Sequence, residues 1–122
     1  MRTYANPSIG ALGWITAKSL GQDFSTAMTQ TIFQPLGLTS TYLSIPAQKM
    51  SSYAWGYNKD KKPVRVNPGM LDSEAYGIKT TASDLSTFVK ANMGMLPLDS
   101  MLQAALNNTR KSYFSVGQMT QD

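Results

Sequence analysis

Tyr4 and Asn6 stand two residues apart, immediately ahead of Pro7 and a helical pattern. In an extended triplet, positions two apart lie on one side of the chain. A phenol titrates near ~10, so it works as a general base only where nearby cations favour the phenolate. A neighbouring amide can hold a substrate carbonyl or orient a lysine. The same Tyr4-Ala5-Asn6 also reads as a packed tyrosine followed by an N-capping asparagine, with Pro7 at the first helical position, where its missing N–H costs nothing. The two readings are compatible.

Composition removes other chemistries. There is no cysteine and no histidine. Thiol nucleophiles, disulfides, zinc–thiolate sites and a Ser-His-Asp triad are therefore excluded. Asp72 and Glu74 are close in sequence but lack companion ligands, so no metal and no cofactor is expected. Lys and Arg outnumber Asp and Glu by 11 to 7, giving a net charge of +4. The basic residues are scattered apart from Lys59, Lys61 and Lys62, which flank Asp60 in a turn and read as a solvated tip. No nucleic-acid partner is expected. No apolar run is long enough to span a membrane, and no apolar stretch precedes Tyr4 as a signal peptide would require.

The elements that must position these residues follow from periodicity and punctuation. The 122 residues are 42% hydrophobic and 15% charged, which suits one domain with a modest core. A first helix is expected over about 8–20, ended by Gly21. Gly10 and Gly13 weaken it in isolation and point to close packing against a neighbour. A second helix is expected over 25–33, closed by Pro35 and Gly37, with 39–45 extended or irregular. Tyr53–Tyr57 and Pro63–Val66 flank Asn58–Lys62 as a short β-hairpin. Residues 67–77 read as a loop rich in turn formers. Thr81-Ala82-Ser83-Asp84 resembles a capping box. Leu85, Phe88, Val89 and Met93 then form the clearest amphipathic stripe. Asp99 starts a last helix to about Asn107, and 113–116 can form a terminal strand. The fold class is mainly α with a small β-hairpin.

Tyr4-Ala5-Asn6-Pro7-Ser8-Ile9-Gly10, then Tyr53-Ala54-Trp55-Gly56-Tyr57, then Pro68 through Thr81 resemble class C serine β-lactamases in order and spacing. The resemblance covers about Arg2 to Asp122. The run Pro68-Gly69-Met70-Leu71-Asp72-Ser73-Glu74-Ala75-Tyr76-Gly77 is far more specific than the Y-x-N triplet. It implies the helical lobe of the serine β-lactamase/DD-peptidase-like fold and a periplasmic acyl-transfer hydrolase that opens β-lactams and confers antibiotic resistance. It further implies three motifs: Ser-x-x-Lys with the nucleophile, Y-x-N, and Lys-Thr-Gly beside the oxyanion hole. On this resemblance Tyr4 matches the proton-shuttling tyrosine, and Asn6 the amide that contacts the substrate's side-chain carbonyl and the motif lysine. Tyr76 matches the tyrosine walling the side-chain pocket. A tyrosine between two lysines runs base chemistry without histidine.

The other two motifs are missing from these 122 residues. The residues three before each lysine are Ile15, Pro46, Gly56, Asn58, Lys59, Tyr76, Thr87 and Asn108, never a serine. No Lys-Ser/Thr-Gly occurs, and Lys79-Thr80-Thr81 reads as structural because it opens a capped helix. The expectation is a single partial domain, an internal segment inactive by itself. Its uncovered apolar surface, with Trp14 and the first-helix glycines as candidates, would favour self-association, which scattering would detect. An esterase or D-amino-peptidase of the same superfamily, and a stand-alone helical binding or assembly module, are the alternatives.

Overall fold

A computed structural model describes residues 4–116 and 119–121. Helix α1 (Asn6–Ser19) starts from an extended Ala5. It ends where Gly21 turns left-handed (φ +68°), with Gln22 N–H donating to Ala17 O (3.1 Å) and Gly21 N–H to Lys18 O (3.0 Å). This double closure satisfies the last carbonyls, as the glycine there predicts. Helix α2 (Phe24–Met28) is capped by Asp23, whose carboxylate accepts from Thr26 N–H at 3.0 Å. It runs on into a π-turn over Thr29–Phe33, with Gln34 N–H bonding to Thr29 O. Gly37, at φ +66°, closes that segment. The expected second helix is therefore present, but its last turn is widened.

A 3₁₀ segment (Ala47–Ser52) leads to the hairpin of β1 (Gly56–Tyr57) and β2 (Pro63–Val64). It is shorter than the flanking patterns suggest. The Asn58 side chain accepts from the N–H groups of Asp60 and Lys62, at 3.0 and 2.9 Å, and builds the turn. The stretch expected to be loop contains a short helix, α3 (Asp72–Tyr76). Helices α4 (Ala82–Asn92) and α5 (Ser100–Asn108) follow. Asp99 caps α5 by accepting from Met101 and Leu102 N–H. A second antiparallel hairpin, β3 (Phe114–Val116) with β4 (Met119–Gln121), lies beyond.

The apolar core joins Phe33, Leu36 and Leu38 to Ala91 of α4 and to Leu102 and Leu106 of α5. Beside it Asp84 is only 8% exposed. Thr81 caps α4 as expected, accepting from Asp84 N–H at 3.2 Å. The carboxylate does not return the bond to Thr81. It accepts instead from Ser40 N–H (2.8 Å) and the Thr41 hydroxyl (2.7 Å). Thr41 has spent its proton, so Thr80 donates to it at 2.8 Å. Backbone bonds between Tyr42 and Lys79 (2.8 Å each way) and Lys79 Nζ donating to Leu43 O (2.7 Å) complete this seam. Lys79-Thr80-Thr81 is thus built into the fold by its backbone and side chains.

The α4 stripe differs from its pattern. Leu85, Val89 and Met93 are exposed, whereas Ala91 is fully buried and Asp84 nearly so. The helix turns its Asp84–Ala91 side inward because the carboxylate must reach Ser40 and Thr41. Leu85 and Phe88 only border a small apolar cavity of about 190 Å³ against Met28 and Ile32.

The α1 glycines are contact points, not uncovered surface. A Cβ on Gly10 would lie 2.1 Å from the Leu71 carbonyl oxygen, and one on Gly13 would lie 2.9 Å from Glu74 Cβ. Trp14 remains half exposed. Gly10→Ala is expected to lower stability by about 1–3 kcal/mol through overpacking, although the same change in a free helix gains about 1 kcal/mol. A urea melt giving an unchanged or higher midpoint would refute the close approach.

Candidate functional site

Tyr4 precedes α1 by one residue and is 79% exposed. Asn6 is not the N-cap. Ala5 holds that place with φ −150° and ψ 122°, accepting from Ser8 N–H (3.1 Å) and Ile9 N–H (3.4 Å). Asn6 is therefore the first helical residue and Pro7 the second, where a missing N–H is still harmless. At that position the Asn6 side chain does not cap the helix. It is exposed and has no hydrogen-bond partner among the described residues.

Tyr76 sits at the end of α3, 43% exposed. Asp72 lies four residues earlier, on the same helical face. Gly69 N–H donates to Asp72 Oδ2 at 3.0 Å. The neighbouring Tyr76 hydroxyl, together with that N–H, holds the Asp72 carboxyl below its ordinary range, and the Asp72 carboxylate raises the Tyr76 phenol above its own. Gly77 is buried behind it, and a Cβ there would lie 2.6 Å from Ser73 O.

Docking of α3 on α1 places the three residues on one packed unit, since Gly10 meets Leu71 and Gly13 meets Glu74. The two contacts advance together along both chains. Tyr4 and Asn6 stand at the entrance of α1, and Tyr76 lies past Glu74. No hydrogen bond joins Tyr76 to Tyr4 or Asn6 among the described residues. The larger clefts lie elsewhere. One of about 480 Å³ is lined by Tyr42, Lys49, Tyr53 and Lys79 among others. Another of about 490 Å³ runs from Ser25 to Ser44. Neither is lined by Tyr4, Asn6 or Tyr76, and among the described residues the fold seats Tyr76 on α1 through α3 without joining it to Tyr4 or Asn6. Among the described residues no group of three or more acidic side chains could hold a metal, and no helix is long and apolar enough to cross a membrane.

Sequence reasoning missed Leu71 and Asp72. Leu71 adopts φ +64°, a left-handed conformation that costs a non-glycine residue about 1–2 kcal/mol. Nothing in a leucine announces this. The Asp72–Tyr76 spacing was a readable sign, because four residues is one helical turn.

A depressed carboxyl contributes stability that is complete above its ordinary value and is lost as pH falls through the depressed folded one. A raised phenol contributes stability that is complete below ~10 and is lost as pH rises through its higher folded value. Tyr76→Phe is expected to return the Asp72 titration, followed by carboxyl NMR, towards the ordinary range. An unmoved Asp72 titration in that variant would show that the two side chains are not paired.

A family model described as Beta-lactamase matches residues 1–122. The chain is 52% identical over 120 residues to a β-lactamase of Pseudomonas fluorescens, covering 98% of this chain and 34% of that one. It superposes with TM-score 0.92 on a β-lactamase/D-alanine carboxypeptidase of Pseudomonas syringae at 55% identity, covering 99% of this chain and 34% of that one. A class C β-lactamase solved in complex with cefoxitin gives TM-score 0.91 at 50% identity, with 99% and 34% covered. The chain spans about a third of the length of the curated relatives it matches. With the family model matched from end to end and the backbone superposing on class C neighbours, the chain belongs to the β-lactamase family.

Proposed function

We propose that this chain supplies the helical-lobe part of a class C serine β-lactamase, a periplasmic enzyme of antibiotic resistance that opens the β-lactam amide through a serine acyl-enzyme. The observation that carries the reading is the superposition of nearly the whole chain on a class C enzyme holding cefoxitin. In this reading Tyr4 moves the proton between the nucleophile and the leaving nitrogen. Asn6 offers its amide to the substrate's side-chain carbonyl, and its lack of a hydrogen-bond partner among the described residues suits that role. Tyr76 walls the side-chain pocket with a ring face.

The acyl step needs an activated hydroxyl and donors aimed at the developing oxyanion. The 122 residues carry neither Ser-x-x-Lys nor Lys-Thr-Gly. Without the serine and the two lysines of those motifs the proton-shuttling role of Tyr4 lapses, and the chain alone is inactive. A second reading, D-alanine carboxypeptidase, is favoured by one observation: two structures at 55% and 52% identity carry that activity in their names. Both readings use the same acyl-enzyme chemistry.

The test is a chimera in which this chain replaces the matching third of the Pseudomonas fluorescens relative. The isolated chain is expected to leave a chromogenic cephalosporin untouched, and the chimera to hydrolyse it. Tyr4→Phe in the chimera is expected to lower kcat by about 10²–10⁴-fold, the usual contribution of a positioned acid–base group. Turnover by the isolated chain, or a Tyr4→Phe chimera at full rate, would overturn the assignment. Cleavage of a D-alanyl-D-alanine peptide in preference to the cephalosporin would favour the second reading.

A further inference from the structure

The loop that carries Tyr76 has a second anchor. Arg65 follows β2 and is half-buried. Its guanidinium carbon lies 3.7 Å from the centre of the Trp55 ring and 4.4 Å from that of Tyr53. Nη2 donates to Tyr53 O at 2.6 Å, and Nη1 approaches Met50 Sδ at 3.6 Å. Nε is buried with no hydrogen-bond partner. Ring faces, a carbonyl and a thioether hold this cation, and no carboxylate takes part among the described residues. Such a hold depends on the flat, stackable shape of guanidinium, which an ammonium does not reproduce.

Five residues, 66–70, separate Arg65 from Leu71. Of these only Pro68 is half-buried; the other four are exposed, Met70 at 91%. Leu71 keeps its left-handed backbone with its carbonyl pressed on Gly10. A strained residue persists only where its surroundings over-determine it. Gly10 fixes one side of this tether and Arg65 fixes the other.

We propose that Arg65 is a positioning residue. Clamped by Tyr53, Trp55 and Met50, it sets where the 66–77 loop begins and so how Leu71 seats on α1 and how Tyr76 is presented. The importance of that presentation for substrate rests on the β-lactamase reading; the clamp itself does not.

Amide hydrogen exchange on the 122-residue chain tests the clamp without substrate, so its outcome is independent of the chimera assay. The reporters are Gly69 N–H, bonded to Asp72 Oδ2 at 3.0 Å, and Gly77 N–H, bonded to Ser73 O at 3.0 Å. In Arg65→Lys, which keeps the charge, both amides are expected to exchange about tenfold faster while α4 and α5 amides keep their rates. Trp55→Ala, which leaves Arg65 in place but removes one ring, is expected to give the same local pattern and carries the test if Arg65→Lys does not fold. Molar sodium chloride is expected to leave the wild-type rates of both reporters in step with the rest of the chain, because no ion pair is involved. Unchanged Gly69 and Gly77 rates in the variants would overturn the proposal. So would equal acceleration across α4 and α5, which would reduce Arg65 to a general stabiliser.

Discussion

The approach of Leu71 and Glu74 to the two glycines of α1 governs how the candidate site is assembled. A carbonyl oxygen rests where a Gly10 side chain would begin, and Glu74 Cβ lies where a Gly13 side chain would end. Two glycines three residues apart leave a flat strip on the helix, and only such a strip admits another backbone so closely. The 71–74 part of the 66–77 loop is seated on α1 by this contact. Leu71 accepts a left-handed backbone to make it, α3 starts at the next residue, and Asp72 then reaches both Gly69 and Tyr76. The cost of one strained leucine is offset by a short helix held at both ends.

The rest of the chain answers to a second constraint, the buried carboxylate of Asp84. A charge so nearly excluded from water needs several donors, and Ser40 and Thr41 provide them from a segment more than 40 residues away. Satisfying it rotates α4 so that Ala91 enters the core with Leu102 and Leu106. The apolar stripe of α4 is left largely outside. Helix α1 is similarly rich in exposed apolar side chains, with Ile9, Leu12, Trp14 and Ile15 distributed around it. A helix apolar on all sides is an interior helix. In the proposed reading its remaining faces meet the other two thirds of a β-lactamase.

Local signals were legible where one residue type does one physical job. Gly21, Thr81 and Asp99 close or open helices as their chemistry predicts, and the small size of Gly10 and Gly13 pointed to a close neighbour. Signals failed where a distant partner decided the outcome. Asp84 has the spacing of a capping box but turns its Oδ2 to Ser40 and Thr41. Asn6 has the chemistry of an N-cap, yet the helix begins one residue sooner and leaves its amide open. Residues 67–77 look like pure loop because Gly69 and Pro68 are turn formers, and the helical turn inside them exists only because α1 is there to receive it. The Y-x-N pair gained meaning from the long run around Tyr76, and both now belong to one packed unit.

The central claim is that α1 and the 69–77 segment form one seated unit within these 122 residues. Nuclear Overhauser contacts in the isolated chain test it most directly. Strong cross-peaks are expected from Gly10 Hα to Leu71 Hβ and from Gly13 Hα to Glu74 Hβ. Their absence, alongside intact contacts between Ala91 and the α5 leucines, would contradict the account, because the core would then be folded and the site unassembled.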